Sequence, residues 1–313
     1  MMNKRPFRFG AVAEGAQSRD AWIAKARKAE ELGYSTFLMP DHFVTEFSLI
    51  AALMSVADAT STLRIGSIVF DNDFRHPAVL AREAATLDLL SGGRFELGLG
   101  AGWLPSEYEQ TGIPFDPPGV RLSRLEEALS IIKGFFTEEL VTFSGKYYTV
   151  TDLKGIPKPV QRPHPPIFIG GGGKRLLSIA AREADIIGVH AKVNADGTVD
   201  MDERFETTLA QKVEWLRQVA GERFNGLELN LLVSVVMITE NQRQAAEQYA
   251  HERGWSEVTV EQVLGMPYFL IGSVDQIIEE IQMRRERFSI SYIAVFDEYM
   301  EMFAPVVADL VGT

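Results

Sequence analysis

The sequence predicts an α/β fold, a (β/α)8 (TIM) barrel with insertions at its C-terminal mouth, and three observations indicate it. Short apolar runs alternate with longer amphipathic stretches along all 313 residues, as parallel strands alternate with crossover helices. The number of these pairs approaches eight. Hydrophobic residues make up 46% of the chain, enough for one large core, although length alone suggests two domains. We therefore predict a single barrel domain over residues 1–313, with a small insertion at about 140–165.

The first half of the chain supplies four strands and four helices. Ser18 is placed to cap the first helix, in which Trp22, Ala26 and Ala29 are spaced for one helical face, and Gly33 ends it. Pro77 suits the first turn of a later helix. The strands are predicted at 7–13, 35–39, 64–70 and 94–99, and the helices at 18–33, 48–61, 77–92 and about 119–136.

The second half begins with an irregular excursion and continues with four more strands. Ser144 and Gly145, within the segment 141–150, predict a small hairpin, and several prolines follow it. We expect this excursion to lie over the mouth of the barrel. The remaining strands are predicted at 166–169, 185–189, 227–238 and 292–296, and the helices between them at 174–183, 203–220 and 274–287.

The composition argues against several classes of partner. The 43 acidic and 31 basic residues give a net charge of -12, which repels nucleic acid phosphates and anionic lipids, so neither nucleic acid nor membrane is expected as a partner. The absence of cysteine excludes disulfides and thiolate-bound zinc, and the 5 histidines lack metal-ligand spacing, so we expect no metal. No signal-like apolar run is present at residues 1–10, and no run of about 18 apolar residues follows. These observations predict a cytoplasmic protein.

Loops that follow the C-terminal ends of barrel strands build the active site, so polar and glycine-rich residues there are the candidates. Asp41 and His42 follow the second strand. An imidazole at the mouth can hydrogen-bond a ligand or shuttle a proton near neutral pH, with Asp41 or a backbone group fixing its tautomer. The alternative is that His42 only caps the next segment.

A dense polar segment follows the third strand, from Phe70 through Asp71, Asn72 and Asp73 to Pro77. Its short carboxylate and carboxamide groups can bond the polar edge of a ring. Alternatively, Asp71 and Asp73 only cap a turn.

Alternate glycines end the fourth strand and lead through Gly100, Ala101 and Gly102 to Trp103. Glycines here allow a flat ring or a phosphate to approach the backbone, and Trp103 offers an apolar wall. A Rossmann motif is excluded, because Trp103 stands where the third glycine of G-x-G-x-x-G belongs. The alternative is a conformationally demanding loop with a tryptophan in the core.

Four glycines and two cations follow the fifth strand and run directly into a predicted helix. Exposed amides at a helix N-terminus, flexible glycines and positive charge together favour phosphate binding, whereas a P-loop would need serine or threonine where Arg175 stands. Lys192, after the sixth strand, adds a cation near the same phosphate. A flexible turn and a solvated lysine are the alternatives. The predicted phosphate site comprises Gly170, Gly171, Gly172, Gly173, Lys174, Arg175, His190 and Lys192.

Taken in order, these motifs resemble the luciferase-like monooxygenase superfamily, and particularly its coenzyme F420 (deazaflavin)-dependent oxidoreductases. The most specific stretch, residues 75–103, reads RHPAVLAREAATLDLLSGGRFELGLGAGW. The resemblance implies that the tricyclic cofactor ring lies over the mouth and that a bulge with an often cis peptide, near Phe70 and Asp71, supports it. The tail phosphate would then lie on the glycine loop.

The resemblance also implies roles and a reaction. His42 becomes the catalytic residue that donates a hydrogen bond or handles a proton, and Glu14, Glu107 and Tyr108 are further candidates for contact with substrate. The implied reaction is hydride transfer between F420 and a small organic substrate. An FMN-dependent monooxygenase that uses reduced flavin and O2 is the alternative, and a catalytically silent cofactor-binding barrel is a second one. A homodimer is the family expectation. The implied cofactor contacts are Asp41, Phe70, Asp71, Asn72, Gly100, Ala101, Gly102 and Trp103, together with the predicted phosphate site.

Overall fold

Eight parallel strands close into a barrel in the computed structural model, which describes residues 5–194 and 197–313. The strands of these residues are β1 (Arg8–Val12), β2 (Thr36–Met39), β3 (Arg64–Ser67), β4 (Phe70–Asp71), β5 (Phe95–Gly100), β6 (Leu140–Ser144), β7 (Thr149–Lys154), β8 (Ile167–Gly171), β9 (Ile186–Val189), β10 (Glu228–Val233), β11 (Val235–Ile238), β12 (Phe269–Gly272) and β13 (Ile290–Phe296). The barrel consists of β1, β2, β3, β5, β8, β9, β10 and β13. Phe9 of β1 pairs with Ile293 of β13, which closes the ring between the first and last strands. The predicted fold class is confirmed.

Helices cover the outside of the barrel and begin at the caps that the sequence supplies. The Ser18 hydroxyl accepts from the amide of Ala21, and Ser273 with Gln276 forms a capping box at the start of a later helix. Within the described residues, no helix has both the length and the apolar character needed to cross a membrane. The helices are α1 (Arg19–Glu31), α2 (Leu49–Ala59), α3 (Pro77–Leu90), α4 (Pro105–Thr111), α5 (Pro118–Thr137), α6 (Lys174–Glu183), α7 (Glu206–Ala220), α8 (Gln242–Glu252), α9 (Val260–Leu264), α10 (Val274–Phe288) and α11 (Ala304–Leu310).

Most predicted elements are present with bounds that differ by three residues or fewer, but one predicted strand is wrong. The segment 227–238 is two strands, because the chain changes partner at Ser234, whose amide donates to the carbonyl of Tyr268 at 2.9 Å. β10 stays in the barrel, whereas β11 pairs with β12 in a separate two-stranded parallel sheet.

The excursion after α5 is a hairpin, as predicted, but most of it does not lie over the mouth. β6 and β7 pair antiparallel, and only their turn reaches the mouth, where Asn72 Nδ2 donates to Tyr148 Oη at 3.3 Å. The proline-rich segment passes the opposite end of the barrel. There Gln161 Nε2 donates to the carbonyl of Phe95, the first residue of β5, at 2.8 Å. The expectation that the proline-rich segment lies over the mouth is therefore wrong, because Gln161 holds this segment at the base of the barrel.

The base of the barrel, where the strands begin, is filled by paired charges. Arg8 donates to Glu96 and to Glu228, each at 2.7 Å, and its guanidinium lies 3.7 Å from the ring centroid of Tyr292. Arg64 donates to Glu96 at 2.6 Å. Because each of these charges has a partner, they can be buried below the apolar layer that fills the barrel above them.

Candidate active site

Glu107 holds His42 at the mouth. His42 follows β2, and its Nδ1 lies 2.8 Å from Oε2 of Glu107, a residue of α4. The amide of Phe43 donates to the other carboxylate oxygen at 2.7 Å. The Glu107 side chain is 3% exposed and that of His42 is 21% exposed, so a buried carboxylate orients a partly accessible ring. Because a carboxylate oxygen accepts, the contact with Glu107 favours the hydrogen of His42 on Nδ1 and turns Nε2 towards the mouth as the second ring nitrogen.

Asp41 does not fix the tautomer of His42. Its carboxylate forms an ion pair with Arg75, with Nη2 and Oδ1 3.0 Å apart, and accepts from the amide of Asp71 at 3.2 Å. Asp41 therefore joins the loop after β2 to the segment after β3. The sequence offered no short-range signal for the partner of His42, because Glu107 lies 65 residues away on a helix that was not predicted.

Asp71 and Tyr108 form a buried hydrogen-bonded pair below the mouth. Tyr108 Oη donates to both carboxylate oxygens of Asp71, at 2.8 and 2.7 Å, and the amide of Asp73 donates to Oδ1 at 2.9 Å. Burial raises the pKa of Asp71 to about 6, although the hydrogen bond from Tyr108 acts in the opposite direction. The contact between the Asp73 amide and Asp71 is the turn cap that was one of the two interpretations of this segment.

Asn72 and Phe70 lie at the same strand end but differ in what they can contact. The Asn72 side chain is 1% exposed, and its Oδ1 is buried without a hydrogen-bond partner among the described residues. Phe70 is fully buried, so it can only support the loop from below. A cis peptide joins Ile68 to Val69, between β3 and β4, which is close to the bulge that the family resemblance implied.

Trp103 lies on the surface of the mouth beside His42. Its side chain is 44% exposed, and its ring centroid lies 5.7 Å from that of His42 at an interplanar angle of 88°. The alternative of a core tryptophan is therefore wrong. Gly102 has φ +73°, and a Cβ there would lie 1.9 Å from Tyr108 Oη. A Cβ on Gly100 would lie 2.5 Å from Val69 Cγ2. These two glycines make room for the protein's own atoms.

The glycine run after β8 ends at the open N-terminus of α6. Gly173 is the N-cap residue, and within residues 5–194 and 197–313 no side chain caps the helix and no atom lies within 4 Å of a Cβ built on Gly173. A Cβ on Gly172 would lie 2.4 Å from the amide nitrogen of Lys192, so the loops after β8 and β9 are in contact. Gly170 and Gly171 stand at the end of β8 itself.

The two cations at the start of α6 have partners on neighbouring helices. Lys174 Nζ lies 3.7 Å from the ring centroid of Trp215, and Arg175 donates to Glu126 at 2.7 Å. The exposed Lys192 lies on the loop after β9. Burial and the nearby Lys212 lower the pKa of His190 to about 4, so its ring is neutral at pH 7. Phosphate binding by this group of residues stays a prediction.

Chemically, the two sides of the mouth differ. The side at β8 and β9 offers free helix amides and the cation of Lys192, which suits an anionic tail. The side at β2, β4 and β5 offers the oriented imidazole of His42, the exposed ring of Trp103 and the Oδ1 of Asn72, which has no partner in the described part of the chain. Such a site can take a planar ring with a phosphate tail and can move a proton beside it.

Comparisons with known proteins agree with this architecture. A family model described as luciferase-like monooxygenase matches residues 5–289. The F420-dependent glucose-6-phosphate dehydrogenase of Amycolatopsis mediterranei is 33% identical over 185 residues, which cover 56% of this chain and 55% of that protein. The FMNH(2)-dependent dimethylsulfone monooxygenase of Pseudomonas putida is 29% identical over 187 residues, covering 56% and 51%. The chain thus spans about half the length of these curated relatives. The solved coenzyme F420 dependent tetrahydromethanopterin reductase of Methanopyrus kandleri has a TM-score of 0.77 at 17% identity, covering 97% of this chain and 99% of that one.

Proposed function

Because the chain belongs to the luciferase-like monooxygenase family, we propose that it is an F420-dependent oxidoreductase that transfers a hydride between the deazaflavin and a small organic substrate. The observation that carries the proposal is the pair of His42 and Glu107, a buried carboxylate aligned on a partly exposed imidazole at the mouth. F420 is our first choice over FMN, because the relative with the higher identity of the two is F420-dependent.

The residues at the mouth fit a ring cofactor with a phosphate tail. The uncapped amides at the start of α6, next to Gly172 and Gly173, would hold the tail, and Lys192 would add positive charge. The buried Oδ1 of Asn72 lacks a partner among the described residues and would accept from the polar edge of the ring. Trp103 would cover the ring from the solvent side.

When bound, a deazaflavin supplies the atom that gives or receives the hydride. A side chain of the protein, His42, handles the proton that accompanies the hydride. Nε2 of His42 accepts it from a substrate hydroxyl in the oxidation direction and returns it to the product oxygen in the reduction direction. Glu107 keeps the hydrogen on Nδ1 and stabilises the imidazolium that forms. Trp103 limits the access of water to this contact.

An FMN-dependent monooxygenase is the second candidate. The FMNH(2)-dependent relative matches a similar share of the chain at an identity only slightly lower than that of the F420-dependent one. The same phosphate site and the same exposed ring of Trp103 would serve flavin mononucleotide. A catalytically silent barrel is disfavoured because Glu107 orients the imidazole of His42. A histidine that served only the fold would not need a carboxylate partner at the mouth.

Titration of the purified protein with F420 and with FMN, followed by turnover tests with each reduced cofactor, decides between these functions. We expect binding of F420 without binding of FMN, and oxidation of reduced F420 by an organic electrophile. Binding of FMN alone, with turnover that requires O2, would replace the proposal by the monooxygenase. Binding without turnover on any electrophile would leave the silent barrel.

A pair of histidine variants tests the role of His42. With the substrate found in those turnover tests, His42→Asn should lower kcat/KM by about 100-fold and leave the Kd of F420 nearly unchanged, because only proton transfer is lost. His164→Asn is the matched control, since His164 lies at the base end beside Asp185. An equal loss of activity in both variants would contradict the assignment.

A further inference from the structure

The mouth beside His42 presents an apolar surface that the fold does not use. Phe43 is 57% exposed, Val44 is 71% exposed and Trp103 is 44% exposed. Phe43 packs against Phe74 at a ring centroid distance of 4.9 Å, and Trp103 stands edge-on to His42. We call Phe43, Val44 and Trp103 the apolar rim. Large apolar side chains exposed together beside a reactive group are typical of a binding surface.

The cations near the apolar rim are already bound to groups of the protein. Arg75 is paired with Asp41, and Arg124 contacts Asp73 and Asp116, each at 2.6 Å. Arg121 is 6% exposed and donates to the carbonyls of Ala101 and Gly102. The guanidinium groups of Arg75 and Arg121 are therefore occupied by the protein, and Nε of Arg124, which has no partner among the described residues, is buried away from a substrate anion.

The other charges near the apolar rim are acidic except for Lys25, which donates to the carbonyl of Gly15 at 2.7 Å and is paired with Asp297. Glu107 is buried directly behind His42. The exposed carboxylate of Glu46 lies against Gly15 in the loop after β1, because a Cβ on Gly15 would lie 2.0 Å from Oε2 of Glu46. Glu14, which precedes Gly15, is also exposed. An anionic substrate placed here would lose water and meet repulsion without gaining a cation.

We infer that the substrate of this site carries no anionic group and has an apolar body, which the apolar rim of Phe43, Val44 and Trp103 holds beside His42. The inference rests on the proposed function for the position of the reacting atoms, but the preference for an uncharged ligand follows from the rim itself. Phosphorylated sugars and carboxylates are excluded from this side of the mouth. The phosphate-binding groups lie on the other side, at β8 and β9, and are assigned to the cofactor tail.

Two pairs of ketones, matched in shape and differing in charge, test the inference by binding. The first pair is acetophenone and 4-acetylbenzoate, and the second is 2-nonanone and 8-oxononanoate. Binding is measured by tryptophan fluorescence with and without F420, and Trp103→Phe identifies the signal of Trp103. In at least one pair we expect the neutral ketone to bind about 10-fold more tightly than its anionic partner, and the bound ketone to quench Trp103.

A charge placed in the apolar rim tests the cause of this preference. Val44→Lys should tighten binding of the anionic member of that pair by about 5-fold and weaken binding of the neutral one. Ile156→Lys is the control, because Ile156 is similarly exposed, at 63%, but lies in the segment at the base of the barrel, and it should change neither value. Thermal unfolding of both variants checks that the fold is retained.

Three results would overturn the inference. They are equal or tighter binding of the anions by the unmodified protein, binding of no ketone at millimolar concentration, and no change of preference in a folded Val44→Lys variant. Failure of F420 to bind would remove the proposed function alone, because the binding of the ketones is also measured without the cofactor.

Discussion

Asp71 illustrates how single residues at the mouth serve the architecture of the site. Its carboxylate accepts from Tyr108 Oη and from the amide of Asp73, and Gly102 lacks the Cβ that would displace Tyr108. The sequence identified the polar segment but not this arrangement, because Tyr108 belongs to α4, whose seven residues are too few to show helical periodicity. The sequence also did not predict where the side chain of Lys174 points, since its contact with Trp215 of α7 determines this.

Asp71→Asn should stabilise the protein more at pH 7 than at pH 4.5. Burial raises the pKa of Asp71 from 3.8 to about 6 in the folded protein, so the folded state binds this proton more tightly than the unfolded chain. The stabilising contribution of protonated Asp71 is therefore present at low pH and is lost as the pH rises from about 4 to about 6. The difference between the two pH values should be about 2 kcal/mol.

Urea unfolding of the Asp71→Asn variant and of the unmodified protein at both pH values measures that difference. Asp58→Asn, the same substitution at an exposed position of α2, is the control. If Asp71→Asn changes the free energy of unfolding equally at pH 4.5 and pH 7, the pKa of Asp71 is not raised in the folded protein.

Elements with a long periodic pattern were predictable, and those set by tertiary contacts were not. α6 begins and ends where the sequence predicted, because the glycine run stops at Gly173 and an amphipathic pattern follows. The break between β10 and β11 was invisible in an apolar run, since it depends on the hydrogen bond from Ser234 to Tyr268. Short elements such as α9, with five residues, leave no periodic signal.

Gly173→Asp should separate the stability of α6 from its ability to bind phosphate. Gly173 has φ -80° and ψ 143°, the extended geometry of an N-cap residue, and its Cβ position is open. An aspartate there would cap the helix amides and stabilise the protein by up to about 0.5 kcal/mol. The same carboxylate would repel a phosphate, so the Kd of F420 should rise at least about 10-fold.

Gly173→Asn is the neutral match for that variant and should reduce binding much less. Titration with F420 and unfolding in urea give the two readouts for both variants. Binding of F420 by Gly173→Asp as tight as in the unmodified protein would show that the phosphate does not lie at α6.

At the scale of the molecule, the barrel has a mouth that carries the candidate site and a charged base. The sequence predicted eight strands and the mouth, because strand order and the residues after each strand are local properties. It did not predict the base, where Arg8, Glu96 and Glu228 come from three distant strands. Burial alone would raise the pKa of Glu96, but Arg8 and Arg64 hold it below its usual value.

Glu96→Gln should destabilise the whole barrel by about 3 kcal/mol, because Arg64 loses its carboxylate partner and Arg8 keeps only Glu228. Thermal and urea unfolding measure the loss. Glu261→Gln, which removes an exposed ion pair with Arg243, is the control and should change stability little. Equal effects of the two substitutions would mean that the base charges do not hold the strands together.

The exposure of Phe43, Val44 and Trp103 has a consequence for how this protein can diverge. Side chains that bury little surface in the fold can be exchanged at little thermodynamic cost, whereas Gly100 and Gly102 are held by neighbours that leave no room for a larger residue. A mutational library aimed at new specificities would therefore begin at these three positions. Evolution has the same freedom, since the imidazole of His42 and the carboxylate of Glu107 stay in place while the surface around them varies.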